Sequence, residues 1–448
     1  MTTIYNSRYD INGKAAGDRS GNSVSMNSTG DIVAIGAEKN NGNGIESGHV
    51  RVYKRVGDIW QKLGDDIHGE TANDESGISV SMNNIGNTVA IGAQYNDGTG
   101  VDGSKSGHVR VWKYMYGPDN PSTKKWIKLG DDIDGENPGD QSGASVSINN
   151  AGDIVAIGAT RNTDENGVKS GHVRVHQYNL STKLWERLGK DIDGEGDSDN
   201  SGSSVSMNSA GNIVAIGAVR NTANAVDGSY YGHVRVWEYK DGTWQKLGQD
   251  IDGEAKNDFS GVSVSMNSAG DIVAIGAKNN DGVNGTQSGH VRVWEYKDGT
   301  WQKLGQDIDG ESKNDFSGSS VSMNSAGNIV AIGVQNNSDN GNSSGHARIW
   351  KYMDDPDNLS VKKWIQLGLD IDGETAGDYS GKAISMNNAG TIVAISAHYH
   401  SYVDGDNDQS GYVRVFYYRN GIWNQVPPGF FKVSNGFFKL SGNSFFKV

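Results

Sequence analysis

Apolar and polar residues alternate in short runs along this chain, and the runs return in the same order seven times. In one unit, Val264 and Met266 alternate with Ser263, Ser265 and Asn267, a period of two that predicts a strand with one buried face. Residues 272–275 (Ile-Val-Ala-Ile) form a continuous apolar run closed by Gly276, as expected of a strand buried on both faces. Residues 290–296 predict a third strand and residues 301–304 a short fourth. The unit therefore reads as a four-stranded antiparallel meander, joined to the next by an acidic Asp-Ile-Asp-Gly-Glu connector. No segment sustains a helical period.

Each unit is anchored by Ser-Gly-x-Ser-Val-Ser, beginning at Ser20, Ser76, Ser142, Ser201, Ser260, Ser317 and, in the relaxed form Ser-Gly-Lys-Ala-Ile-Ser, Ser380. The spacing runs from 56 residues (Ser20 to Ser76) to 66 (Ser76 to Ser142). Units of this size cannot bury their own apolar faces and must lean on neighbours. Seven meanders predict an all-β, seven-bladed β-propeller over residues 1–428, rather than an open solenoid, which needs polar capping units at its ends. The first residues of the pattern (Ile11, Asn12) and its last strand (Trp423 onward) fall at one phase of the repeat, as ring closure requires.

Composition narrows the function. A net charge of −14 and a pI near 5.1 disfavour a nucleic-acid partner, which selects clustered Lys and Arg. The absence of cysteine excludes disulfides and thiolate chemistry. Glycine (63) far outnumbers proline (6), so turns are made by Gly, Asn and Asp. No long apolar run predicts a membrane span, and the first residues carry no apolar core of a secretory signal. The expected location is either inside a cell or on a virion or other particle.

The Gly-x-Ser-Val-Ser strand, the Ile-Val-Ala-Ile-Gly-Ala strand and the Gly-His-Val-Arg-Val-Trp strand together resemble the FG-GAP repeats that build the seven-bladed propeller of integrin α chains. The resemblance covers about residues 9–427 and implies a recognition fold. Two departures stand out. Serine replaces the family's phenylalanine before the first glycine, and the turn after the first strand (Asn-Ser-Ala-Gly-Asp) is too short for the family's calcium loop.

Repeated residues are expected to be structural. Trp60, Trp126, Trp185, Trp244, Trp301, Trp364 and Trp423 open the fourth strands and read as wedges between blades rather than sugar platforms. The His-x-Arg pairs (His49/Arg51 to His346/Arg348, with Tyr412 beside Arg414 in the last unit) are expected to hydrogen-bond the acidic connector of an adjacent blade. Metal is not expected at these histidines, because each sits in a different blade. The connector itself offers a weak calcium candidate, Asp132, Asp134, Glu136 and Asp140, against a plain reading as Asx caps and salt bridges. No other cofactor is expected.

Recognition is expected where the units differ. The loops between second and third strands vary (38–47, 94–106, 219–231, 398–410) and carry Tyr95, Tyr230, Tyr231, His398, Tyr399, His400 and Tyr402 as binding candidates. Matching insertions at 115–125 and 353–363 suggest a second contact surface on the opposite face. The tail, 429–448, breaks the pattern with three Phe-Phe-Lys pieces. Phe430, Phe431, Phe437, Phe438, Phe445 and Phe446 read either as an assembly anchor or as a segment packed back over the propeller. The leading expectation is a non-enzymatic propeller binding protein or glycan through its loop face, within a surface or particle assembly such as a virion. The rival is a glycan hydrolase using connector carboxylates.

Overall fold

A computed structural model describes residues 9–447 except 99–103, 118–119, 121, 165–166, 223–227, 402–407, 426–429, 434–435 and 442–443; beyond residue 425 it describes backbone alone. Seven four-stranded antiparallel blades form a closed β-propeller, and no helix forms among the described residues, so none could cross a membrane. The fifth blade shows the plan. Its inner strand Ser263–Met266 pairs with Ile272–Ala277, which pairs with His290–Lys297, which pairs with Thr300–Lys303.

The connector is not a free link, as the sequence pattern had implied. Ile308–Asp309 pairs with the first half of the third strand, Val291↔Ile308 and His290↔Asp309, so it resumes the outer strand after a break at Gly305. The break has a cause. A Cβ at Gly305, whose φ is +78°, would lie 2.9 Å from the Trp364 ring of the next blade.

Ring closure uses the same element. Ile11–Asn12 pairs with the seventh blade's third strand (Ile11↔Val413, Asn12↔Tyr412), supplying the outer half-strand that this blade otherwise lacks. Gln425 donates to Asp10 across the seam at 2.6 Å. The ends meet in one sheet.

The core is seven interblade clusters rather than one centre. Between the fifth and sixth blades, Val291, Val293, Ile308, Val330, Ile332 and Trp364 pack together, and equivalent clusters fill the other six junctions. The tryptophans are wedges. Trp364 is 1% exposed and its Nε1 donates to the Leu304 carbonyl of the preceding blade at 2.7 Å; Trp126, Trp185, Trp244, Trp301 and Trp423 make the same bond.

Around the axis, serine explains its own recurrence. The Ser265 hydroxyl accepts from the Met323 amide of the next inner strand at 2.9 Å, and all seven blades repeat this bond, ending with Ser385 and Met26. At the tight-turn face a cycle of backbone bonds runs Ser28→Asn84→Asn150→Ser209→Ser268→Ser325→Asn388→Ser28 at 3.0–3.3 Å. Asn388 also reaches past the first blade to Asn84, 3.3 Å away, so polar side chains narrow the channel at that end. Each turn is built by an asparagine: Asn267 Oδ1 accepts from the amides of Gly270, Asp271 and Ile272.

The insertions of the second and sixth blades lengthen their outer hairpins, most in His346–Asp355 and Asn358–Gln366, which exposes Leu359 and Val361. The tail backbone forms its own three-stranded antiparallel sheet, Phe430–Val433, Gly436–Ser441 and Ser444–Lys447, with Phe431 opposite Phe438 and Leu440 opposite Phe445. The side chains of Phe430, Phe437 and Phe446, and of the other tail residues, lie outside what is described.

Candidate recognition face

Inner strands start, and second strands end, at the face opposite the tight turns, so three repeat positions meet around that mouth of the channel. The residue before Ser-Gly is Arg19, Glu75, Gln141, Asn200, Phe259, Phe316 or Tyr379, always left-handed with φ of 52–58°. The residue after Ser-Gly is Asn22, Ile78, Ala144, Ser203, Val262, Ser319 or Lys382. The residue just after the second strand is Glu38, Gln94, Thr160, Val219, Lys278, Gln335 or His398. Backbone geometry at these positions repeats while side-chain chemistry does not. A left-handed non-glycine costs about 1–2 kcal/mol, so the repeated geometry is held by its surroundings.

Two groups form at this mouth. At the seventh and first blades, His398 packs against Tyr399 with tilted rings and centroids 4.1 Å apart, Tyr379 packs on Tyr399 at 5.3 Å, and the Arg19 guanidinium lies 5.0 Å above the Tyr399 ring. Arg19 also stands 4.0 Å from Glu38. Burial pushes the Glu38 carboxyl up to about 7 and the His398 imidazole down to about 3. At the fourth to sixth blades, Phe259, Phe316, Val262 and Lys278 line a cavity of about 390 Å³, and Tyr230 stacks on Phe259 at 6.4 Å.

The sequence candidates divide accordingly. Tyr230, His398 and Tyr399 join these groups. Tyr95 stands apart under Lys105, 5.2 Å away. Tyr231 holds its loop through backbone bonds to Asn221 and Ser260. His400 takes the place of a repeated asparagine: it bonds Asp378 at 3.0 Å as Asn280 bonds Asp258 and Asn162 bonds Asp140. Tyr402 lies outside the described residues. Sequence reading missed Arg19, Glu38, Phe259, Phe316, Lys278 and Lys382; the available signal was a position fixed in phase with changing identity.

The His-x-Arg expectation holds for arginine and fails for histidine. Arg292 Nη2 donates to the Asp252 carbonyl of the preceding blade at 2.7 Å, its Nη1 pairs with Glu254 at 3.1 Å, and the guanidinium lies over Trp294. The histidines instead stand with their backbones paired to their own outer strand; His108 Nδ1 is 3.9 Å from Glu70 and 4.0 Å from Asp134, too far for a hydrogen bond.

Single histidines do meet carboxylates from two blades, as in Glu70/His108/Asp132 and Glu136/His172/Asp191. Those carboxylates already have cations: Arg110 on Glu70, Lys128 on Asp132, and Arg187 on both Glu136 and Asp191. The four calcium candidates do not converge. Asp132 serves one junction, Glu136 the next, Asp134 sits in the outer strand, and Asp140 is buried, accepting from the Asn137 amide and from Asn162. A larger cavity of about 850 Å³, lined by Glu136, Asp164, Arg187, Lys190, Asp191 and Asp193, lies at this junction.

Compared with known proteins, the chain matches no family model and no curated protein.

Proposed function

We propose that this chain is a non-enzymatic recognition propeller, built of FG-GAP-type repeats, that binds protein or glycan at the mouth of its loop face. The observation that carries the reading is the division of labour between positions. The repeated tryptophans, arginines, inner-strand serines and turn asparagines bond within a blade or across a junction, whereas the positions of Arg19, Phe259, Phe316, Tyr379, Lys278 and Lys382 keep their phase in the repeat and change identity around the ring. Variable residues on a rigid ring suit specific recognition. For the hydrolase alternative, the carboxylate pairs recur from junction to junction with none set apart, and at Glu136 and Asp191 Arg187 bridges both.

We read the tail as the anchor that holds the propeller in a surface or particle assembly such as a virion, since its strands form a sheet separate from the blades. A glycan and protein array, followed by turnover assays on whatever binds, tests the recognition reading. Binding without turnover is expected; product formation would transfer the case to the hydrolase. Deleting residues 429–448 should abolish incorporation into the assembly while leaving array binding intact.

A further inference from the structure

We propose that the loop-face mouth takes an acidic sugar, with Lys278 and Lys382 meeting its carboxylate and Phe259 and Phe316 packing its ring. The inference rests on the reading of this face as the recognition surface.

Lys278 and Lys382 come from the fifth and seventh blades and are half-buried at the mouth. Neither has a hydrogen bond or ion pair among the described residues. Loss of water alone lowers Lys278, with no carboxylate in range to offset it. Lys382 is lowered by burial and then by the charge of Lys278, which places the two cations in one field; Glu38 offsets this only in part and makes its own contact with Arg19. Buried charges are ordinarily paired, so two dehydrated ammonium groups sharing one mouth lack an anion. In a chain of net charge −14 this is an unusual place to concentrate unpaired cations.

The cavity that Lys278 lines, with Lys382 outside its lining at the same mouth, says what else the anion carries. About 390 Å³ is small-ligand size. Its lining offers two phenyl rings, held out by left-handed residues at φ of 52° and 56°, with the amides of Asn279 and Gln335 beside them. A bare inorganic anion has no use for phenyl rings. A sugar acid has an apolar ring face, hydroxyls for amides and one carboxylate.

The test is calorimetric titration of the full chain with D-glucuronate, D-glucose and a Glu-rich hexapeptide. Glucuronate should bind at least about tenfold more tightly than glucose, a difference of roughly 1.4 kcal/mol. Lys278→Gln and Lys382→Ser introduce residues that the sixth blade carries at these positions (Gln335, Ser319), so folding should persist. Each should reduce glucuronate to the glucose level, with an unchanged or raised melting temperature. Phe259→Ala should weaken both sugars. Equal affinity for the two sugars, binding of neither, preference for the hexapeptide, or a preference surviving both lysine changes would overturn the proposal. Should glucuronate fail while the array finds a neutral glycan or a protein at the same face, the acidic site falls and the recognition reading stands.

Discussion

At the scale of single residues, the repeated side chains do two jobs at once. Trp364 fills a junction and satisfies the Leu304 carbonyl. Trp364→Ala should cost about 3–5 kcal/mol in chemical denaturation. Trp364→Phe keeps most of the packing but leaves that carbonyl unmet, so its cost should be about 1–3 kcal/mol. Equal losses would show that the hydrogen bond, absent from both variants, carries the whole cost and the ring packing none. Glu38 behaves oppositely. Its folded pKa, about 7, lies above the unfolded value, so burying it lowers stability as pH rises from about 4.5 through 7. Glu38→Gln should therefore raise the unfolding free energy at pH 8, by on the order of 3 kcal/mol at most, and leave it nearly unchanged at pH 4.5. A gain of the same size at both pH values contradicts this account.

At the scale of elements, strand positions are coupled across each blade and junction. A Cβ at Gly276 would lie 2.1 Å from the Gly318 carbonyl of the next blade and 2.4 Å from Ser263 Oγ, so a serine in the inner strand demands glycine in the second. The seventh blade changes both together: Ala383 replaces the serine, Ser396 replaces the glycine, and Ser396 Oγ accepts from the Ala383 amide at 2.9 Å. Ala383→Ser alone should destabilise by about 1–3 kcal/mol through overlap with Ser396. Adding Ser396→Gly should recover much of that loss, and a double-mutant cycle with no coupling would refute the steric link.

The strands themselves were legible from period-two runs and the Ser-Gly-x-Ser-Val-Ser phase. The outer half-strand Ile308–Asp309 was not, because two residues carry no period. Nor was His400 as the equivalent of Asn280, since only a three-dimensional partner, Asp378, makes a histidine and an asparagine interchangeable. The mouth was half legible. Variable loops pointed to the face that carries this mouth, but Phe259 and Lys278 sit inside the repeat, where identity in phase drew attention away from them.

At the scale of the molecule, closing the ring with neutral buried histidines makes it acid-sensitive. Burial pushes His49, His172, His176 and His398 down to about 3, and His108, His233, His290 and His346 to about 4. Unfolded, each takes a proton near 6.5. The unfolded chain thus binds more protons below that value, so stability present above pH 6.5 is lost as pH falls toward 4. Each histidine contributes up to about 1.4 kcal/mol per pH unit in that window, outweighing Glu38, Asp18, Asp140, Asp258 and Asp315, which burial raises and which act the other way. The melting temperature should fall steadily from pH 7 to pH 5; a flat profile would mean these histidines are solvated.

The central claim is that repeated positions hold the ring while positions of changing identity recognise the ligand. It can be tested by giving the fifth blade the mouth of the third: Phe259→Gln, Val262→Ala and Lys278→Thr in one protein, copying Gln141, Ala144 and Thr160. Melting temperature and glucuronate affinity are then measured on the same sample. The account predicts a melting temperature within about 2 °C of the parent and loss of glucuronate binding. Retained binding, or a fall in stability comparable to that of Trp364→Ala, would contradict it.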